Sequence, residues 1–187
     1  CNQIGIQKFD IVGSYRRGKS DSGDIDIIIS HPNKEPFDKL LDTLCEQEII
    51  IHTLTRGAVK SLTITQLIDK TPRRVDFLYS PPNEYPFSTL YFTGSKEFNV
   101  AMRQHCLDIG YTLNEHGLYY MNNGIKGNCV DTTFNTEKDI FDFINIEYKE
   151  PSDRIGAISL IKKNNIPTLD IKPVVKVKKN KTLKNIK

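Results

Sequence analysis

The sequence has no run of 18 apolar residues and no secretory leader, which excludes a helix long enough to span a membrane and argues against a secreted protein. It has no initiating Met, and with Cys1 first it is expected to begin inside a longer protein. Cysteine is sparse: Cys1, Cys45, Cys106 and Cys129 show no CxxC or zinc-ligand spacing, and only His105 and Cys106 stand side by side. Structural zinc and a disulfide framework are thereby set aside, and the expectation is reduced, mostly buried thiols. A broad basic excess is also missing. The net charge is +3, but residues 172–187 hold seven Lys and no acid, which leaves 19 basic and 23 acidic residues in the other 171. Any anionic partner must therefore be met by local arrangement, not by the field of the whole body.

What remains, 187 residues at 38% hydrophobic, is enough for one large domain or two small ones. The chain is organised around Gly13–Asp26, GSYRRGKSDSGDID, set between the apolar runs Phe9–Val12 and Ile27–Ile29. Both runs read as strands, joined by a glycine-flanked turn rich in hydroxyl and guanidinium groups. Asp24 and Asp26 are two apart, so on a strand both carboxylates leave one face, with Cα atoms about 6 to 7 Å apart. Such a pair repels itself unless a cation lies between, and Mg²⁺ with its preference for oxygen ligands is the obvious one. Gly13, Ser14, Arg17, Ser22 and Gly23 offer backbone and side-chain donors for a triphosphate.

A helix is expected from Pro36 to Glu48 on the spacing of Phe37, Leu40, Leu41 and Leu44, followed by strands at Ile49–Thr55 and Leu62–Leu67, the second exposed on one side. Arg73–Tyr79 is a further strand, with Val75, Phe77 and Tyr79 on one face and Arg74, Asp76 and Leu78 on the other. If it lies beside Asp24 and Asp26, Asp76 adds a third carboxylate. Pro81-Pro82-Asn83 breaks the chain. Ser95 caps a helix to Asp108, with Phe98, Met102 and Cys106 on one face and Asn99 and Arg103 on another. Tyr111–Tyr119 reads as strand, turn and strand. Asn122–Gly124 and Lys126–Asn128 read as turns, and Thr136 opens a short helix with an acidic first turn.

GSYRRGKSDSGDIDIII resembles the nucleotidyltransferase signature of family X DNA polymerases, the polymerase beta-like group; RRVD, YFTGS and the closing Y-x-EP-x-x-R at Tyr148–Arg154 are similar to further motifs of that family. The resemblance covers residues 8 to 154. It implies an α+β fold, with a nucleotidyltransferase-type mixed sheet bearing helices on one face and then a smaller α+β subdomain. The divisions are a catalytic palm at 1–84, a nucleotide-binding thumb-type subdomain at 85–154 and a basic tail at 155–187. It implies DNA-directed DNA polymerisation by nucleotidyl transfer, as in short-gap repair. Asp24, Asp26 and Asp76 would hold two Mg²⁺ ions, with Mn²⁺ an alternative, and Gly13, Ser14, Arg17, Ser22, Gly23, Tyr91, Phe92, Gly94 and Asn99 would meet the dNTP. Arg74 and Arg103 would meet primer–template or gapped DNA. A monomer in the nucleus or another DNA-containing compartment, away from membranes, is the corresponding expectation. Template-independent terminal transfer and a DNA-binding scaffold with a vestigial site are the alternatives. Leu78, Lys96 and Val100 depart from the family pattern, and the family's amino-terminal lyase and helix-hairpin-helix regions have no counterpart in this sequence.

Overall fold

The computed structural model describes residues 5, 6 and 8–163, and the lysine-rich run at 172–187 lies outside them. Five strands, β1 (Lys8–Ile11), β2 (Ile25–Ser30), β3 (Ile50–Arg56), β4 (Lys60–Thr65) and β5 (Arg73–Ser80), form one mixed sheet in the order β1-β2-β5-β4-β3. Only β2 and β5 are parallel, and their register sets Asp26 opposite Asp76. The connection between them runs through helix α2 (Glu35–Glu46), β3 and β4.

The period-two pattern decides what each face meets. Ile29, Val75 and Phe77 pack with Phe37, Leu40 and Leu41 of α2. On the opposite face Ile28 and Leu78 pack with Val12 and with Tyr85, which opens helix α3 (Tyr85–Thr93). On β4 the fully covered positions are the hydroxyl residues Ser61 and Thr63, while Leu62 and Ile64 are only partly buried. These hydroxyls tolerate burial because Ser61 Oγ donates to Thr55 O at 3.1 Å and Thr63 Oγ1 to Val75 O at 2.7 Å.

A second core gathers Phe87, Phe98, Met102, Cys106, Leu118, Ile140 and Phe141. It is built from α3, helix α4 (Lys96–Asp108), a three-stranded antiparallel sheet β6 (Tyr111–Asn114), β7 (Gly117–Asn122) and β8 (Ile125–Cys129), and helix α5 (Glu137–Phe143). Ser95 caps α4 by accepting from Phe98 N, and Thr136 and Asp139 form a reciprocal capping box on α5. Burial pushes the Cys106 thiol up to about 12, so it stays protonated in this core.

Three local expectations change. Gly13–Arg16 is a one-turn helix, α1, where a turn is expected, because Arg16 N and Arg17 N bond back to Val12 O and Gly13 O. Lys126-Gly127-Asn128 lies inside β8, whose pairing with β7 outweighs turn-forming composition. Of the described thiols only Cys106 is buried; Cys45 and Cys129 are exposed, and all are unbridged. Residues after Arg154 return to the second core, where Ile146 bridges Lys162. Among the described residues no helix is long and apolar enough to cross a membrane.

Candidate active site

An open cleft of about 500 Å³ lies where the β2 end of the sheet faces α4. Its walls bring together ten of the residues expected from sequence: Gly13, Ser14, Arg17, Asp24, Asp26, Tyr91, Phe92, Gly94, Asn99 and Arg103; Lys96 and Val100, which depart from the family pattern, complete the lining. Ser22, Gly23, Arg74 and Asp76 are not among the lining residues.

Asp24 precedes β2, Asp26 is its second residue, and Asp76 sits on β5 directly across from Asp26. Burial and then repulsion from Asp24 and Asp76 raise the Asp26 pKa above the ordinary carboxylate value, with Lys60 and Arg74 offsetting part of the rise. Asp76 is 1% exposed and held by two cations. Lys60 Nζ stands 2.8 Å from Oδ2, and Arg74 donates through Nε at 3.1 Å and Nη2 at 3.0 Å. Arg74 also reaches Asp24 at 3.7 Å. The hydrogen bond and charge of Asp76 hold the Arg74 pKa above the usual guanidinium value. Arg74, expected to meet DNA, is thus engaged by the carboxylates themselves.

Among the described residues no group of three or more His, Cys, Asp or Glu side chains is gathered closely enough to hold a metal ion as it stands. The donor set nevertheless suits a hard divalent cation: the candidates are carboxylate oxygens, and Asp26 is destabilised by its acidic neighbours. Gly13 leaves the room this needs. Its backbone has φ +65°, and a Cβ there would collide with Asp26 Oδ2.

The expected phosphate-binding turn is internally bonded. Ser14 Oγ donates to Ser22 Oγ at 2.8 Å, and Arg17 Nη1 donates to Thr93 O at 2.5 Å. Gly94, at φ +69°, ends α3, and a side chain there would crowd Arg17 Nη1. Across the cleft Asn99 Nδ2 donates to Tyr91 O at 2.7 Å, which ties α4 to the end of α3, and the Tyr91 and Phe92 rings meet edge to face at 5.1 Å. Arg103 lies one turn beyond Asn99 on the same wall.

Sequence reasoning misses Lys60 and a buried ion network behind the cleft. Glu137 accepts from Arg16 through Nη1 at 3.0 Å and Nη2 at 2.6 Å, and from Arg154 Nη1 at 2.7 Å. Burial alone would raise the Glu137 pKa, but the bonds from Arg16 and Arg154 outweigh it and leave it lowered. The only sequence signals were Arg16 in the RRG motif and Arg154 in the closing motif, neither of which names a partner.

Residues 5–82 match the family model described as DNA polymerase beta palm, and residues 88–155 match that described as DNA polymerase beta thumb. The chain is 34% identical over 160 residues to DNA polymerase lambda of Rattus norvegicus, covering 76% of this chain and 28% of that protein. It is 29% identical over 162 residues to DNA polymerase lambda of Arabidopsis thaliana, covering 76% of this chain and 31% of that protein. DNA polymerase IV of Saccharomyces cerevisiae is 34% identical over 82 residues, 44% of this chain and 13% of that protein. The chain therefore spans less than a third of the length of these relatives.

Proposed function

Because the chain belongs to the family X DNA polymerases, we propose that it adds dNTPs to a primer 3′-hydroxyl on gapped DNA, as a nuclear repair polymerase does. Its two parts would act as a palm at 1–84 and a nucleotide-binding subdomain at 85–154, each with its own core. The observation that carries the reading is the cleft in which Asp24 and Asp26, the Ser14–Arg17 turn and the Asn99–Arg103 face converge.

In the reaction the primer 3′-hydroxyl gives up its proton to solvent, its oxygen bonds to the α-phosphorus, the bond from that phosphorus to the bridging oxygen of the β-phosphate breaks, and pyrophosphate departs. Family X polymerases generally need divalent metal ions; two Mg²⁺ or Mn²⁺ ions held by Asp24, Asp26 and Asp76 would supply Lewis-acid charge to the attacking and leaving oxygens. Ser14, Arg17, Ser22 and the backbone of Gly13 and Gly23 orient the triphosphate. Arg17 exchanges its bond to Thr93 for a phosphate oxygen, and charge-assisted bonds of this kind are the strong ones. Tyr91, Phe92 and Gly94 form the wall beside the sugar. Asn99 and Arg103 face the base pair from the minor-groove side, where acceptors lie in similar places for every correct pair. Asp76 keeps Arg74 and Lys60 beside the acidic strands, and Arg74 meets the primer backbone when DNA enters.

Extension of a labelled primer on a one-nucleotide gap, with each dNTP supplied separately, tests the reading. Template-directed incorporation that Asp76→Ala abolishes is expected. Tailing of single-stranded primer without a template would replace gap filling by terminal transfer, and DNA binding without extension would defeat the catalytic reading.

A further inference from the structure

We propose that Glu137, which lies outside the cleft, is a positioning residue for nucleotide binding: it fixes α1, and through α1 the cleft residues Ser14 and Arg17. The proposal rests on the nucleotide-binding reading above.

Helix α1 is four residues long and has no side-chain cap. A single turn of that kind does not hold itself together, because its one or two hydrogen bonds do not offset the cost of nucleation. Something else must fix it, and the observed fixture is electrostatic. Arg16, the last residue of α1, forks onto both carboxylate oxygens of Glu137 and donates from Nη1 to Thr93 Oγ1 at 2.6 Å. Its immediate neighbour Arg17 donates to the carbonyl of the same Thr93. The two consecutive arginines therefore clamp α1 onto the end of α3, and Glu137 anchors the clamp from 121 positions away.

Glu137 has little freedom of its own. It is 7% exposed, it begins a helix whose capping box is complete, and it also accepts from Arg154. Arg154 is fully buried, with its guanidinium 5.4 Å from the Phe141 ring centre and 5.7 Å from that of Tyr148, and its Nε donates to Lys149 O. One carboxylate thus serves two guanidiniums of unequal freedom, since the Arg16 side chain is 26% exposed and that of Arg154 is 0% exposed. Without the Glu137 charge the two cations repel, and only Arg16 can move into solvent. Its departure releases α1 and shifts Arg17 relative to the triphosphate. A group that only stabilised the fold would not send its effect along this route.

The test is steady-state gap filling by the full 187-residue chain with dNTP varied, alongside thermal melting. Glu137→Gln is expected to raise KM for dNTP about tenfold, the worth of one charge-assisted contact. Its kcat should stay within about twofold and its KM for gapped DNA should not change. Because the effect runs through Arg17, adding Glu137→Gln to Arg17→Ala should change KM by less than about twofold further. A folded Glu137→Gln protein with unchanged KM, or effects that multiply in the double variant, would overturn the proposal. If Glu137→Gln does not fold, Glu137→Asp keeps the charge on a shorter arm; an intermediate KM is expected, and an unchanged KM in that folded protein overturns the proposal equally. Wild-type KM in Arg17→Ala, or no extension by the wild-type chain, would instead defeat the nucleotide-binding reading, and the proposal with it.

Discussion

Two clusters in this chain set carboxylates against cations, and they are balanced in opposite directions. Around β2 and β5 three aspartates, Asp24, Asp26 and Asp76, face Lys60 and Arg74, one cation short of neutrality. Behind the cleft a single carboxylate, Glu137, faces Arg16 and Arg154. The pKa directions follow the balance: Asp26 is raised and Glu137 lowered. The lesson is that burial and ion pairing do not by themselves distinguish a reactive site from a brace. Each cluster holds a buried, ion-paired carboxylate, Asp76 in one and Glu137 in the other, and what separates them is residual charge: the acidic cluster, open to the cleft through Asp24 and Asp26, still calls for a cation, while the second has its carboxylate doubly satisfied.

The strongest way to break this comparison is to neutralise one acid in each cluster. Asp26→Asn should lower kcat/KM for gap filling by about a thousandfold or more, the scale of losing a group that stabilises developing charge. A kinetic assay on gapped DNA measures it, and residual activity near wild type would place Asp26 outside the chemistry. Next in size, Arg154→Met should lower the unfolding free energy by about 3 kcal/mol, because it removes a buried, hydrogen-bonded partner of Glu137. Urea denaturation reads this, and an unchanged midpoint would show the second cluster to be no brace. Gly13→Ala should cost about 1 to 2 kcal/mol, since it places an L side chain at φ +65° against Asp26. It should also weaken primer extension by displacing that carboxylate.

The smallest effects are the most diagnostic, because their signs differ. Glu137 has a folded pKa below its unfolded value, so its stabilisation is fully present above the unfolded carboxylate pKa of about 4.3 and is lost as pH falls toward the folded value. The melting temperature of the wild type should fall steeply in that acid window, and Glu137→Gln should flatten the fall. Asp26 has a raised folded pKa, so its charge opposes folding at neutral pH. Asp26→Asn should therefore raise the melting temperature by about 1 to 3 °C while it destroys activity. A fall in melting temperature would contradict the stated balance of charge.

How much of this was legible follows from distance along the chain. The strand alternation that buries Val75 and Phe77 opposite Leu78 is local, and periodicity reads it correctly; the acidic pair is local too, but Asp24 falls just before β2 and not on it. The Ser95 and Thr136 caps are also local and need only a hydroxyl and the following turn. The meeting of Asp26 with Asp76 could be written only as a condition, because nothing local says that β5 pairs with β2. Arg16, Glu137 and Arg154 were invisible as a unit, since charged residues at such separations carry no spacing signal. Side-chain engagement was equally hidden. Arg17 and Arg74 read as donors for phosphate and DNA, whereas the structure has them bonded to Thr93 and Asp76. The burial of Ser61 and Thr63 on β4 depends on backbone carbonyls that no composition rule anticipates.

The parallel pairing of β2 with β5 also governs how the chain reaches this state. Asp26 and Asp76 are neighbours across the sheet yet fifty positions apart in sequence, with α2 and the β3–β4 hairpin formed between them. Local pieces of this kind assemble quickly, whereas a parallel contact has to close the whole intervening loop before it gains anything. The acidic cluster is therefore expected to be completed only when β5 closes onto β2, after the local elements between them have formed. Refolding followed by catalytic competence should lag behind refolding followed by helix content, and the lag is a clock for the closing of that single pair of strands.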